Sequence, residues 1–366
     1  MTAPLTDSAA AGSGRDLGVW AELIGQTAAV ATLQRAAAGE PHAMSHAWLF
    51  TGPPGSGRSN AARAFAAALQ CSSGGCGKCT ACRTSLSGAH PDVTLVRTEL
   101  LSIGVDEVRE LVRRSAMSPT LGRWQVIVIE DADRITERGA DALLKSIEEP
   151  ARRTVWILCA PTADDVVATV RSRCRLLTLQ TPTIPAVARL LETRDGIEPE
   201  LAAYAARVSQ GHIGRARVLA RDEDARNRRQ QILQIPFQLH GLGACLAAAA
   251  QVVEASTVEA AVATGELDVG ERAALEEALG FGTKGAKPRQ AHAAIKELEE
   301  QQRARTKRFQ RDAIDRTLTE LTGFYRDVLS IQTASGAAVI NEDLKPQIAV
   351  RRLRETLRRS SRSRLL

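Results

Sequence analysis

The sequence predicts an α/β domain followed by an all-α region, and three observations carry the prediction. Between residues 47 and 180, five short apolar runs alternate with helical patterns: "AWLFTG" (47–52), "DVTLVR" (92–97), "WQVIVIE" (124–130), "TVWILCA" (154–160) and "RLLTL" (175–179). These runs are β-branched and nearly continuous, as parallel strands covered on both faces are. A Gly-rich turn, "GPPGSGRSN" (52–60), separates the first run from a helical pattern, the strand–loop–helix setting of a phosphate-binding loop. Beyond about residue 180 the strand signals stop.

The intervening helices are expected at 58–70, 105–118 and 138–149, the last stopped by Pro150. Alternation of this kind builds a doubly wound sheet. Residues 183–222 read as three short helices near 184–193, 199–209 and 212–220, broken at "RDG" and "QGHIG". The remainder is helical in pattern, with a loop at 281–290 and a long helix after it. The first half of that helix, "IKELEEQQRARTKRFQR", has few apolar residues and is expected to be largely solvated; Ile314, Leu318, Leu321, Tyr325 and Val328 form a packing stripe in the second half.

With 366 residues, 44% hydrophobic and 25% charged, the composition is that of a multi-domain globular protein. The first residues lack the pattern of a secretory signal and no apolar stretch approaches the ~20 residues of a membrane span, so a cytoplasmic location with reduced cysteines is expected. The net charge of +6 is uneven, because residues 301–366 hold fifteen Lys or Arg against seven Asp or Glu. A basic end of this kind suits nucleic acid or simply a solvated helix face and tail.

In the Gly-rich turn, Gly52, Pro53, Pro54, Gly55, Ser56, Gly57, Arg58 and Ser59 follow the phosphate-loop spacing, but Arg58 stands where lysine reaches the β and γ phosphates. The planar guanidinium does not substitute freely for an ammonium in a tight site. Hydrolysis also needs an Asp for the metal and a Glu to orient water at a neighbouring strand end. Here Glu130 precedes Asp131, with Asp133 further on. The inverted order moves each carboxylate by about one methylene, enough to cost ~10²-fold in rate.

Cys71, Cys76, Cys79 and Cys82 are spaced C-x₄-C-x₂-C-x₂-C. Four thiolates at short spacing suit a closed, structural tetrahedral Zn²⁺ site; a C-x-x-C redox pair is the alternative. Cys159, Cys174 and Cys245 lie among apolar residues and are expected in the core. "TVRSRCRLLTL" places Arg171, Arg173 and Arg175 at alternate positions, which read by themselves as the polar face of an edge strand.

"LIGQ" (23–26), "SHAWLFTGPPGSGR" (45–58), "CGKCTACR" (76–83), "HPDV" (90–93), "DADRITERGADALLKSIEEP" (131–150) and "RSRCR" (171–175) occur in an order that resembles the bacterial clamp-loader AAA+ subunits of DNA polymerase III, tau/gamma and delta-prime. The resemblance is strong over residues 19–222 and loose beyond. It implies a flexible start (1–18), an AAA+ domain of RecA-like parallel sheet (19–180) with a zinc module at 71–82, a small helical lid (181–222), a helical collar for oligomerisation (223–341) and a basic tail (342–366), which has little to bury and is expected to be disordered.

Within that family tau/gamma are the ATPases, and delta-prime subunits often carry decayed sites. Arg58, the inverted acidic pair, Gly214 at the ATP-sensing arginine of "GHIGRARVL", and the loss of a γ-phosphate sensor near Ala160–Pro161 all point to delta-prime. Arg215 adjoins Gly214 but lies ~100° further round a helix.

The resemblance further implies that Arg173 acts in trans on a neighbour's ATP. It implies tau/gamma and delta as partners, and the sliding clamp and primed DNA as targets met through the complex. ATP is then held weakly or not at all, no membrane is involved, and enzymatic work belongs to the polymerase holoenzyme rather than to this chain alone. An active tau/gamma-type ATPase is the first alternative. The second is a stand-alone zinc-containing nucleic-acid module, disfavoured because residues 71–83 hold only Lys78 and Arg83 as cations and no aromatic residue.

Overall fold

The computed structural model describes residues 17–98, 100–279 and 289–349. Two compact units divide the chain: one is built from residues up to Arg97 together with Ile103–Pro182, the other from Thr183 onward together with Thr98–Ser102.

The first unit runs α1 (Thr27–Ala37), β1 (Ala47–Thr51), α2 (Arg58–Gln70), α3 (Thr80–Ser87), β2 (Val93–Val96), α4 (Val105–Ser115), β3 (Gln125–Ile129), α5 (Glu137–Glu148), β4 (Thr154–Ala160), α6 (Ala168–Arg171) and β5 (Arg175–Thr178). All strands are parallel and lie in the order β2-β3-β4-β1-β5. Side chains alternate along each strand, so β1 sends Trp48 and Phe50 to one face and Ala47 and Leu49 to the other. The first face packs on α1 and α2, with Phe65 against Trp48 at 5.3 Å between ring centroids. The second packs on α4 and α5 through Val108, Leu111, Leu143 and Ile147. Each such fully buried side chain contributes roughly 1.5–3 kcal/mol. This is the α/β sheet expected of an AAA+ domain. β1 pairs with β4 and β5 rather than with β2, which makes its carboxyl end a topological switch point, where open α/β sheets bind ligands.

The second unit is helical: α7 (Ile184–Thr193), α8 (Pro199–Val208), α9 (Ile213–Arg221), α10 (Glu223–Gln238), α11 (Leu242–Ala278) and α12 (Arg289–Thr333). Residues 280–288, most of the expected loop, lie outside the described residues, as do 1–16 and 350–366. The structure corrects four expectations here.

The buried stripe of α12 is Ala313, Thr317, Glu320, Phe324 and Asp327, one position away from the apolar stripe, and Leu318 and Tyr325 are exposed. The polar members of that stripe are inside because they are bonded: Asp327 accepts from the Ile340 and Asn341 backbone N–H groups at 2.9 and 2.8 Å. The first half of α12 is not simply solvated, because Arg305 is buried against α11 in ion pairs with Asp268 and Glu271. Residues 342–349 are folded, with Leu344 and Ile348 buried beside Leu233 and Phe324. Finally, Leu242–Glu277 is long and apolar enough to cross a membrane by length and composition, an 18-residue window of it having a mean hydropathy of 1.3. Alanine and valine supply that apolarity, and the buried Ser256 and Thr264 interrupt it; Thr264 lies 3.2 Å from Thr306 of α12.

Candidate nucleotide loop, cysteine centre and exposed arginine

The loop between β1 and α2 has Gly52, Gly55 and Gly57 at positive φ (152°, 85° and 88°). At Gly52 a Cβ would stand 2.5 Å from the Leu179 carbonyl oxygen and 2.6 Å from Ser56 Oγ, so only glycine fits. Ser56 Oγ is buried without a hydrogen-bond partner among the described residues. Gln26, the last residue of "LIGQ", fastens the loop to the end of β5: its amide donates to Ser56 O at 3.2 Å and Gln180 O at 2.6 Å, and accepts from Gln180 N at 3.2 Å. The motif is therefore a loop buttress, a role its sequence does not announce.

Arg58 opens α2, and its Nη1 donates back to the Gly52 carbonyl of the same loop. Burial pushes its guanidinium below the ordinary value, opposed by nearby Cys159, Asp133, Asp131 and Asp165. Burial raises the carboxyl pKa of Asp133. Glu130, at the end of β3, is not aimed freely at the loop. Arg63, five residues along α2 from Arg58, holds it at 2.7 and 2.8 Å, and the Glu130 side chain is 7% exposed. Nothing in the sequence marked Arg63, because its partner is 67 residues away. After β4, Asp165 Oδ2 accepts from the Thr162 backbone N–H and hydroxyl at 2.8 and 2.9 Å.

In the second unit Arg215 is paired with Glu320 of α12, so its charge is spent inside that unit.

The four cysteine sulfurs all lie within 4.8 Å of one another, with Cys71 3.7 Å from Cys76 and 3.8 Å from Cys79. A tetrahedral ion with metal–sulfur bonds of about 2.3 Å sets its sulfurs about 3.8 Å apart, so the residues fit a metal. Local backbone arranges them: Cys71 closes α2, and Cys79 caps α3 while its sulfur accepts from Cys82 N at 3.4 Å. Burial would raise the Cys71 thiol, but the backbone N–H groups of Cys76, Gly75 and Ser73 outweigh it and bring the pKa to about 6. Burial drives the Cys82 thiol the other way. The cluster also anchors residues 18–22, since Val19 N donates to Gly75 O at 3.0 Å. Of the three cysteines expected in the core, Cys159 is buried and Cys174 partly so, but Cys245, near the start of α11, is exposed among exposed neighbours such as Leu242 and Leu246.

The three alternating arginines separate. Only Arg175 is in β5, where it reaches the Ala43 carbonyl at 2.5 Å and lies over the Trp48 ring at 5.0 Å. Arg171 ends α6, paired with Asp164 and with Ala163 O at 3.1 Å. Arg173 occupies the turn between them, bonded to Glu148 and still 39% exposed. The edge-strand reading therefore fails for Arg171 and Arg173, since the chain turns before pairing begins.

"HPDV" is structural: Asp92, 1% exposed, accepts backbone N–H bonds from Thr120, Leu121 and Gly122 at 2.6, 2.8 and 2.5 Å.

Residues 25–183 match the family described as DNA polymerase III, delta subunit. The chain is 38% identical over 136 residues to the DNA polymerase III subunit delta' of Pseudomonas aeruginosa, covering 36% of this chain and 42% of that protein. With subunit delta' of Bacillus subtilis it shares 29% over 204 residues, 55% of this chain and 61% of that one. With subunit gamma/tau of Mycobacterium bovis it shares 34% over 159 residues, 42% of this chain and 27% of that one. The chain thus spans between about a quarter and three fifths of these relatives' lengths. Over residues 25–183 the chain is thus similar to the delta' and gamma/tau subunits of DNA polymerase III.

Proposed function

We propose that this chain serves as a delta-prime subunit of a bacterial clamp loader, contributing architecture and one arginine rather than its own ATP hydrolysis. It would join tau/gamma and delta subunits, and through the assembly help to place a sliding clamp on primed DNA. One contrast carries the reading: the cation and the carboxylate of its own loop are turned inward, Arg58 onto Gly52 and Glu130 onto Arg63, while Arg173 stays exposed at a turn.

A nucleotide cradle survives in the glycines and in the Ser56 hydroxyl, unpartnered among the described residues, so weak ATP binding is compatible with the loop. Fast turnover is not, because neither the phosphate-facing cation nor the water-orienting carboxylate is available. Zn²⁺ is the ion that four thiolates at this spacing suit, and with every position filled by sulfur its role is structural. The domains would be the AAA+ sheet, the lid and the helical collar, the last serving assembly.

In trans, Arg173 would bring a permanent cation to the phosphoryl group of a neighbour's ATP, where such residues contribute 10³–10⁵ in rate. The test is DNA- and clamp-stimulated ATP turnover by the reconstituted loader carrying wild-type chain or Arg173→Ala, with assembly checked by mass. Assembly should survive while turnover falls substantially, the affected site losing about 10³-fold. Unchanged turnover would remove the trans role. The gamma/tau relatives favour a second reading, an active ATPase, which measurable turnover by the isolated chain would support.

A further inference from the structure

We propose that Glu148 is a positioning residue that holds the Arg173 guanidinium ready for a phosphate of the neighbouring subunit. The inference rests on the trans role given to Arg173 above.

Glu148 is the last residue of α5, where "SIEEP" ends at Pro150. Its Oε1 accepts from Arg173 Nε at 2.5 Å. Arg173 Nη1 donates to Thr169 O at 2.8 Å and to Ser172 Oγ at 3.2 Å. Three acceptors therefore occupy Nε and Nη1, on opposite flanks of the group. Nη2 has no partner among the described residues. The guanidinium is planar, so fixing Nε and Nη1 fixes the direction of Nη2.

The neighbouring arginines show what the alternatives look like. Arg175 bonds to two backbone carbonyls, at 3.3 and 2.5 Å, and stacks on Trp48, leaving it a packing role. Arg171 is tied to Asp164 and Ala163 O, which belong to the loop directly before its own helix. Arg173 alone of the three is held by the carboxylate of another α-helix, Glu148 of α5, 25 residues away.

Position matters more than charge for such a group. A free arginine surrenders rotamer freedom when it meets phosphate, whereas one already held surrenders little. Misplacement on the scale of 1 Å can cost ~10²-fold. Glu148 holds Nε through a hydrogen bond, so the neutral amide of glutamine can still accept it. Alanine cannot. The carboxylate also carries a negative charge toward the incoming phosphate, so the same residue could instead mask the arginine. The experiment separates these roles.

The reconstituted loader is assayed with Glu148→Ala, Glu148→Gln, Arg173→Ala and the double variant Glu148→Ala/Arg173→Ala, with assembly checked by mass. Glu148→Ala should lower kcat for stimulated ATP turnover about tenfold to 10²-fold at the completed site. KM for ATP should be little changed, since Arg173 acts on the transferring group. Glu148→Gln should recover most of the loss, and the double variant should be no slower than Arg173→Ala alone. Full turnover in Glu148→Ala beside a slow Arg173→Ala overturns the positioning role and leaves the trans role standing. Full turnover in both single variants overturns both. Faster turnover in Glu148→Ala makes Glu148 a mask, and a further drop in the double variant places its action elsewhere; either result overturns the proposal. Loss of assembly in Glu148→Ala and Glu148→Gln alike makes the residue structural and also overturns it.

Discussion

Arg58 donates a hydrogen bond to the carbonyl of Gly52, six residues back in the same loop. A phosphate loop normally directs its cation outward to the β and γ phosphates. Here the guanidinium is folded against the backbone that should cradle them. Replacing it with the residue usual at this position, Arg58→Lys, restores a compact charge on a flexible stem. ATP binding by the isolated chain, followed by fluorescent-nucleotide titration, should tighten about tenfold or more, given ~1.5–3 kcal/mol for a charge-assisted hydrogen bond. Phosphate release should stay at background, because Glu130 remains held by Arg63 at 2.7 Å. Hydrolysis in the Arg58→Lys variant alone would show that the Glu130–Arg63 pair is no obstacle.

The cysteine centre couples metal to the start of the domain. Gly75, between Cys71 and Cys76, has φ 107°, and a Cβ there would stand 2.7 Å from Val19 Cγ2 and 3.2 Å from Trp20 Nε1. Elemental analysis should find one zinc per chain. Cys79→Ser or a chelator should remove it and lower the melting temperature by about 5 °C or more, at roughly 2–4 °C per kcal/mol for a unit of this size. Hydrogen exchange should rise first at residues 18–23. An unchanged melting curve in the metal-free protein would leave the four sulfurs without a structural role.

The sheet was legible because a strand buried on both faces has to be apolar at nearly every position; β4, "TVWILCA", is buried throughout. The glycines of the loop and the cysteine spacing were legible because each is a local requirement of backbone or ligand geometry. What the sequence hides is long-range polar pairing. Arg63 with Glu130, Gln26 with Gln180 and Arg173 with Glu148 join residues 67, 154 and 25 apart, and no local pattern announces them. The stripe on α12 was misplaced for the same reason. A charged residue counts as solvated in a periodicity argument, yet Glu320 and Asp327 are buried because partners meet them. The helix α3 went unread because its eight residues, "TACRTSLS", are set by the cysteine centre rather than by an apolar period.

Asp92 supplies a pH dependence whose direction is fixed by its surroundings. Burial alone would raise its carboxyl pKa, but the backbone N–H groups of Thr120, Gly122 and Leu121 outweigh it and hold the value below the usual range. The charged form is thus favoured in the folded state. Its contribution is complete above the unfolded value of about 3.9 and is lost as pH falls through the lower folded value. Asp92→Asn retains only one acceptor oxygen and places an amide N–H against donors. At pH 7 the variant should lose about 1–3 kcal/mol in urea denaturation, and the gap from wild type should narrow below about pH 4. A gap that stays constant from pH 7 to pH 3 would mean that the carboxylate charge carries none of the effect.

Arg229 and Glu320 form the buried counterpart of these surface pairs. Arg229 is 2% exposed; its Nε donates to Glu320 Oε2 at 3.1 Å, its Nη1 to Tyr204 Oη at 3.2 Å, and its Nη2 to Asn341 Oδ1. Glu320 also accepts from Arg215, so α9, α10 and α12 meet at one carboxylate, with α8 joined through Tyr204 and Arg229. Burial, with Arg229 and Arg316 nearby, brings the Arg215 pKa down to about 10, so two guanidinium groups depend on one anion. Glu320→Ala leaves both without it and should destabilise the helical unit by about 3–5 kcal/mol. A double change, Glu320→Leu with Arg229→Met, removes the charge problem at its centre and should cost less than Glu320→Ala alone. Thermal denaturation of the three proteins decides the matter. If the double variant is the least stable, the network acts through its specific bonds rather than through the penalty of an unpaired buried charge.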